Sequence, residues 1–184
     1  TIQPTLNVVS VVASGTNGAS LVLDADLLVG TLYTLTVTGV ADCPGNVIGA
    51  GNTAQFALPV PAEFRNVVIN EIMADPNPTV GLPVVEWVEL YNATTDQSFD
   101  LAGWTFSDGG TPVVMPSYTL MPGAYVVLMA NASLPLFPAL MNKVGVASLP
   151  ALNDGGDALV ITDDLALTID AVTYTSSWYQ DAVK

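Results

Sequence analysis

No stretch of this chain carries the 3.6-residue apolar period of a long amphipathic helix. Its apolar residues come instead in short runs, each stopped by Gly, Pro, Asn or Asp. The clearest run spans residues 32–38, where Leu35 and Val37 alternate with Thr34, Thr36 and Thr38. That period of two is the mark of a half-buried strand. Further runs at 6–13, 20–23, 53–58, 67–73, 84–91, 101–106, 113–120, 124–129, 158–162 and 167–174 read as strands. Residues 133–142 are Pro-rich and hold at most one helical turn. Turn chemistry stands between the runs at 14–18, 42–46, 107–110, 121–123, 153–157 and 163–164. Many short strands with Gly- and Pro-rich turns specify an all-β sandwich. Pro59-Val60-Pro61 stiffens the exit from the first set of strands, so residues 1–58 and 66–184 are read as two parts joined by a linker at 59–65.

Composition narrows the function. The formal net charge is −14, with 17 acidic residues against 3 basic ones. Phosphate backbones are held by Lys and Arg, so nucleic acid is excluded as a partner, as is attraction to an anionic membrane surface. No run reaches the roughly 20 apolar residues of a membrane span. An acidic surface suits solubility or hard cations. There is no histidine, which removes the commonest general base and the usual zinc ligand sets. The single cysteine, Cys43, has no partner for a disulfide in this chain and no neighbouring cation to activate it. It is either paired outside this segment or a free thiol. No basic region followed by an apolar core opens the sequence, so no signal peptide is read there. The abrupt start in strand-like sequence is read as the mark of a piece of a longer polypeptide.

Acidic residues inside strands need a cause, because strands disfavour them. Glu71, Glu86 and Glu89 are read as such residues. Alternation puts Glu86 with Val88 and Leu90 on one face, and Glu89 with Trp87 and Tyr91 on the other. Pairing of 67–73 with 84–91 would bring Glu71 to one of the two other glutamates. Two close carboxylates call for a cation or a shared proton. Glu71, Glu86 and Asp75 are therefore the candidate calcium ligands, weighed against a solvated edge or a carboxylate accepting backbone N–H bonds. A glycosidase-type acid pair is not evident, and no residue is assigned a catalytic role. Asp154-Gly155-Gly156-Asp157 reads as a hairpin turn rather than a calcium repeat, since one copy is present. The sequons at Asn92 and Asn131 read as chance. Trp104 reads as a core aromatic; Trp178, beside Tyr179, is the better candidate for exposure.

Six spaced elements of the second part together resemble a lamin tail domain of the bacterial secreted type. They are Ile69-Asn70-Glu71-Ile72, Glu86-Trp87-Val88-Glu89-Leu90-Tyr91-Asn92, Leu101-Ala102-Gly103-Trp104, the stretch from Leu120 to Val127, Leu152-Asn153-Asp154-Gly155-Gly156-Asp157 and Ile169-Asp170-Ala171-Val172-Thr173-Tyr174. The resemblance implies an immunoglobulin-like β-sandwich over residues 66–184 that is non-catalytic, needs no cofactor and accompanies larger secreted or surface proteins. Family members usually continue beyond a tail such as Ser177-Trp178-Tyr179-Gln180-Asp181, which implies that a last strand is absent. Residues 1–58 resemble the later part of a surface-layer-protein-type bacterial Ig-like domain. The carriers are residues 32–42, Pro44-Gly45-Asn46 and Ala54-Gln55-Phe56. Such a partial sheet region would leave apolar faces and strand edges uncovered. The expectation is an extracellular or cell-surface module that displays loops such as 75–83 and 131–150. Its partner would be a protein, a glycan or a neighbouring domain. The alternative is a carbohydrate-binding accessory module of a secreted hydrolase, favoured by exposed aromatics at Trp178 or Tyr179.

Overall fold

The structure, a computed structural model, describes residues 1–15, 18–78 and 81–179, the side chain of Tyr179 excepted. The expectations placed on Thr16, Asn17, Thr79, Val80, Gln180 and Asp181 lie outside the described residues. Two compact units are present: Thr1–Val60 with Asp96–Ser98, and Pro61–Thr95 with Phe99–Lys184. No helix among the described residues is long and apolar enough to cross a membrane.

The first unit holds β1 (Ile2–Gln3), β2 (Val8–Ser14), β3 (Gly18–Leu23), β4 (Tyr33–Thr36) and β5 (Thr53–Phe56). A three-stranded sheet runs β1-β4-β5, and β2 and β3 form a separate hairpin. Ile2 and Tyr33 are buried, and Tyr33 stacks on Phe56 across the sheet with ring centroids 5.5 Å apart. The hairpin is different. Val11 pairs with Leu21 and Ala13 with Ala19, so these side chains share one apolar face. That face is open: Val11 and Leu21 are 62% and 37% exposed.

Asp24 closes the open end of this hairpin. Its carboxylate accepts the backbone N–H of Asn7 at 2.9 Å and the Asn7 side-chain amide at 2.6 Å. The Asn7 amide, more than the backbone bond, holds the Asp24 carboxyl below the ordinary aspartate range. Because the folded value is depressed, the clamp contributes above the unfolded aspartate value and is lost as pH falls through the folded one. A carboxyl-carbon NMR titration should place Asp24 below a free aspartate, and Asn7→Ala should return it towards the ordinary value. A titration midpoint unmoved by that substitution would reject the clamp.

The second unit holds β6 (Val67–Met73), β7 (Trp87–Asn92), β8 (Phe99–Asp100), β9 (Thr105–Ser107), β10 (Val113–Val114), β11 (Thr119–Leu120), β12 (Tyr125–Ala130), β13 (Lys143–Val146), β14 (Gly156–Thr162) and β15 (Thr168–Thr175). One sheet runs β13-β12-β7-β6 and another β10-β9-β14-β15, with β11-β8 as a small third pair. Alternation builds the core. Val88 and Leu90 on β7, Val126 and Leu128 on β12, and Phe106, Leu159 and Ile161 on the opposing sheet are all fully buried. The result is the all-β sandwich read from the sequence.

Local differences have physical causes. The expected strand at 101–106 is broken at Gly103, which adopts φ +80 and turns the chain before Trp104. Residues 131–150, expected as a loop, hold a 3₁₀ turn at Asn131–Leu136 and the strand β13. β13 runs parallel to β12, with Leu128 opposite Val144. Its alternation is only Val144 and Val146 in and Lys143 and Gly145 between, too short for a periodic signal to show. A parallel neighbour also needs a crossover, and the segment from 131 to 142 supplies it.

Candidate functional site

β6 and β7 pair so that Val67 faces Asn92 and Ile69 faces Leu90. Then the register shifts, and Glu71 faces Glu89. Asn70 is the extra residue of this bulge. Its placement decides where the acid goes. In unbroken alternation Glu71 would share the inner face with Val67 and Ile69; the inserted residue turns it to the outer face instead. Of the two glutamates open to it, Glu71 therefore meets Glu89. Directly opposed like charges are unfavourable. Asn70 relieves one of them by donating its amide to Glu89 Oε1 at 2.8 Å. The outer face also carries Tyr91 stacked on Tyr125, ring centroids 4.5 Å apart.

The other two candidate cation ligands go elsewhere. Asp75 and Glu86 line a cleft of about 530 Å³ with Asp154 and Ser133. Glu86 stands one residue before β7, not inside it, and its Oε2 accepts the backbone N–H of Leu152 at 3.0 Å. Asp75 accepts the N–H of Asn77 at 3.1 Å, an Asx turn. Among the described residues no group of three or more His, Cys, Asp or Glu could hold a metal ion. The set Glu71, Glu86 and Asp75 is thus not assembled. The bulge directs Glu71 to the outer face of the sheet, and Glu86 is taken up by a loop backbone.

A buried acid inside a strand was missed by the sequence reading, although the same signal marks it. Asp170 interrupts the apolar run of β15 and is buried. Its Oδ2 accepts the backbone N–H of Ile69 at 2.8 Å. β6 and β15 are edge strands of the two main sheets, so this bond ties one sheet to the other. Asp163 is buried too, and its Oδ1 accepts the N–H groups of Leu165 and Leu167 at 3.0 and 2.7 Å, closing the β14–β15 turn. At 153–157 a turn forms as expected, held by Asp157 on the N–H and amide of Asn153. It leads from irregular chain into β14 and so is not a hairpin between strands.

The three tryptophans differ. Trp104 is 4% exposed and packs against Phe99, a core aromatic as expected. Trp87 packs on the outer face with Val127 and Met129, covered by Leu134, Phe137 and Leu140. Lys143 holds that cover in place by donating Nζ to the carbonyls of Phe137 and Leu140. Trp178 alone is open, at 59% exposure, and leans on Tyr174 with ring centroids 6.5 Å apart. It lines a groove of about 290 Å³ with Ile69, Asn70, Ile72, Val172 and Tyr174.

Asp75, Glu86, Asp157, Asp163 and Asp170 therefore accept backbone N–H groups, and Glu71 and Glu89 lie on an outer face. Asn92 cannot act as a glycan acceptor in the folded chain. It is fully buried, and its amide donates to the Leu120 carbonyl at 3.0 Å. Cys43 is exposed as a free thiol in the 42–46 turn, where Asp42 accepts from Asn46. A family model described as Lamin Tail Domain matches residues 61–176, more than half of the chain. No curated protein matches the chain.

Proposed function

Because the chain belongs to the lamin tail domain family, we propose that it serves as a non-catalytic module of a larger secreted or cell-surface bacterial protein, displaying loops for adhesion or supporting a neighbouring domain. The family is an immunoglobulin-like sandwich that is generally non-catalytic. One observation carries the reading furthest: buried or part-buried acids in and beside the strands hold backbone and turns. Asp170, Asp163 and Glu86 all spend carboxylate oxygens on main-chain N–H groups. Groups so occupied build a rigid scaffold, and rigid scaffolds position loops for recognition. Residues 1–58, read as the later part of a surface-layer-type Ig-like domain, fit the same setting. The partner on this reading is a protein, a glycan or an adjoining domain, and no resident cofactor is needed.

Antiserum raised against the module should label intact source cells or their medium, and external protease should remove the cell-associated signal. Signal confined to the cytoplasm would overturn the reading. The scaffold also needs no calcium. Its melting midpoint should be the same in millimolar calcium and in chelator, because only a ligand that binds the folded state raises it. A midpoint several degrees higher in calcium would restore a cation to the site.

A further inference from the structure

We propose that the groove between β6 and β15, roofed by Trp178, binds a ring of a neutral saccharide. This deepens the display reading by naming a ligand class, and it rests on that reading.

A large aromatic ring left open to water is the first observation. Trp87 and Trp104 are buried, whereas Trp178 is 59% exposed and is steadied from one side by Tyr174. Tyr174 is itself fixed, donating its hydroxyl to the Asn153 carbonyl at 2.9 Å. The ring thus rests on a neighbour that is itself hydrogen-bonded. An exposed aromatic face suits the polarised C–H groups of a pyranose, which meet the electron-rich face of the ring.

Size and polarity narrow the ligand. The groove holds about 290 Å³, at the lower end of small-molecule sites, which run from roughly 300 to 1,000 Å³. That suits one sugar ring of an oligosaccharide, with the rest of the chain in solvent. Asn70 lines the groove with its amide nitrogen donated to Glu89, so its amide oxygen is what it offers a hydroxyl. The bulge that presents Asn70 is the feature that flips Glu71 outward, so the amide and the opposed carboxylates come as one unit. Those carboxylates, in a chain of net charge −14, repel anionic ligands. Neutral sugars fit; uronic-acid polymers do not.

Calorimetric titration of the whole chain with cellohexaose, laminarihexaose, mannohexaose and hexagalacturonate tests the assignment. At least one neutral hexasaccharide should bind. Trp178→Ala should then weaken it about tenfold or more, and Trp178→Phe should keep most of the affinity. Asn70→Ala should weaken it several-fold, an independent check should the Trp178 variant not fold. Hexagalacturonate should not bind. Absence of binding by all three neutral sugars, affinity unchanged in both Trp178→Ala and Asn70→Ala, or tighter binding of hexagalacturonate would each overturn the proposal. A surface location established by antiserum would meanwhile leave the display reading standing, so the two failures are separable.

Discussion

Replacing Asp170 with alanine should destabilise the second unit by about 2–4 kcal/mol, because a bond to a carboxylate is lost and a buried donor is orphaned. The donor is the N–H of Ile69, itself 9% exposed, and Asp170 is 3% exposed. Alanine offers no acceptor in its place. A neighbouring bond, from the Arg65 N–H to the Ile169 carbonyl, lies at the entrance to β6. Asp170→Asn keeps an oxygen at the same place and should cost roughly half as much or less, since a neutral acceptor bonds about half as strongly. Urea unfolding followed by tryptophan fluorescence reads this unit alone, because Trp87, Trp104 and Trp178 all belong to it. Equal midpoints for wild type and Asp170→Ala would show that the bond carries no net stability.

Two adjacent glycines should respond in opposite ways to the same change. Gly156 opens β14 at φ +126, a conformation that L side chains rarely adopt. A Cβ there would lie 2.5 Å from the Tyr174 carbonyl oxygen and 2.9 Å from Thr175 Cα. Both are backbone atoms of the paired strand, so relief requires the β14–β15 ladder to separate. Strain and overpacking together should cost about 2–5 kcal/mol for Gly156→Ala. At Gly155 a Cβ meets nothing within 4 Å, so Gly155→Ala should stay within about 1 kcal/mol of wild type. A melting midpoint for Gly156→Ala as high as that for Gly155→Ala would show that the turn yields where the structure holds it rigid. The pair matters because the turn at 153–157 also anchors Tyr174, the support of Trp178.

The strand β12 was legible because it is an apolar run bounded by turn residues. The alternation of β7 placed Val88 and Leu90 opposite Trp87, Glu89 and Tyr91 without any knowledge of neighbours. Trp104 was legible as core because an apolar strand and a turn residue flank it. β13 was not, since two valines around a glycine carry too little pattern. Which glutamate Glu71 meets was not legible for a different reason. Alternation is counted from one residue to the next, and the bulge at Asn70 breaks the count between Ile69 and Glu71.

The sequence by itself determined the class of fold and the family, because alternation, turn chemistry and spaced motifs are written locally along the chain. The tertiary structure alone decided which acids meet. It paired Glu71 with Glu89, gave Glu86 to Leu152, and placed Asp170 against a backbone N–H 101 residues away in sequence. It also left Trp178 open while burying the other two tryptophans. The reason is physical: whether a carboxylate or an indole ends in solvent or against a donor depends on which strands share an edge and where a bulge resets the register.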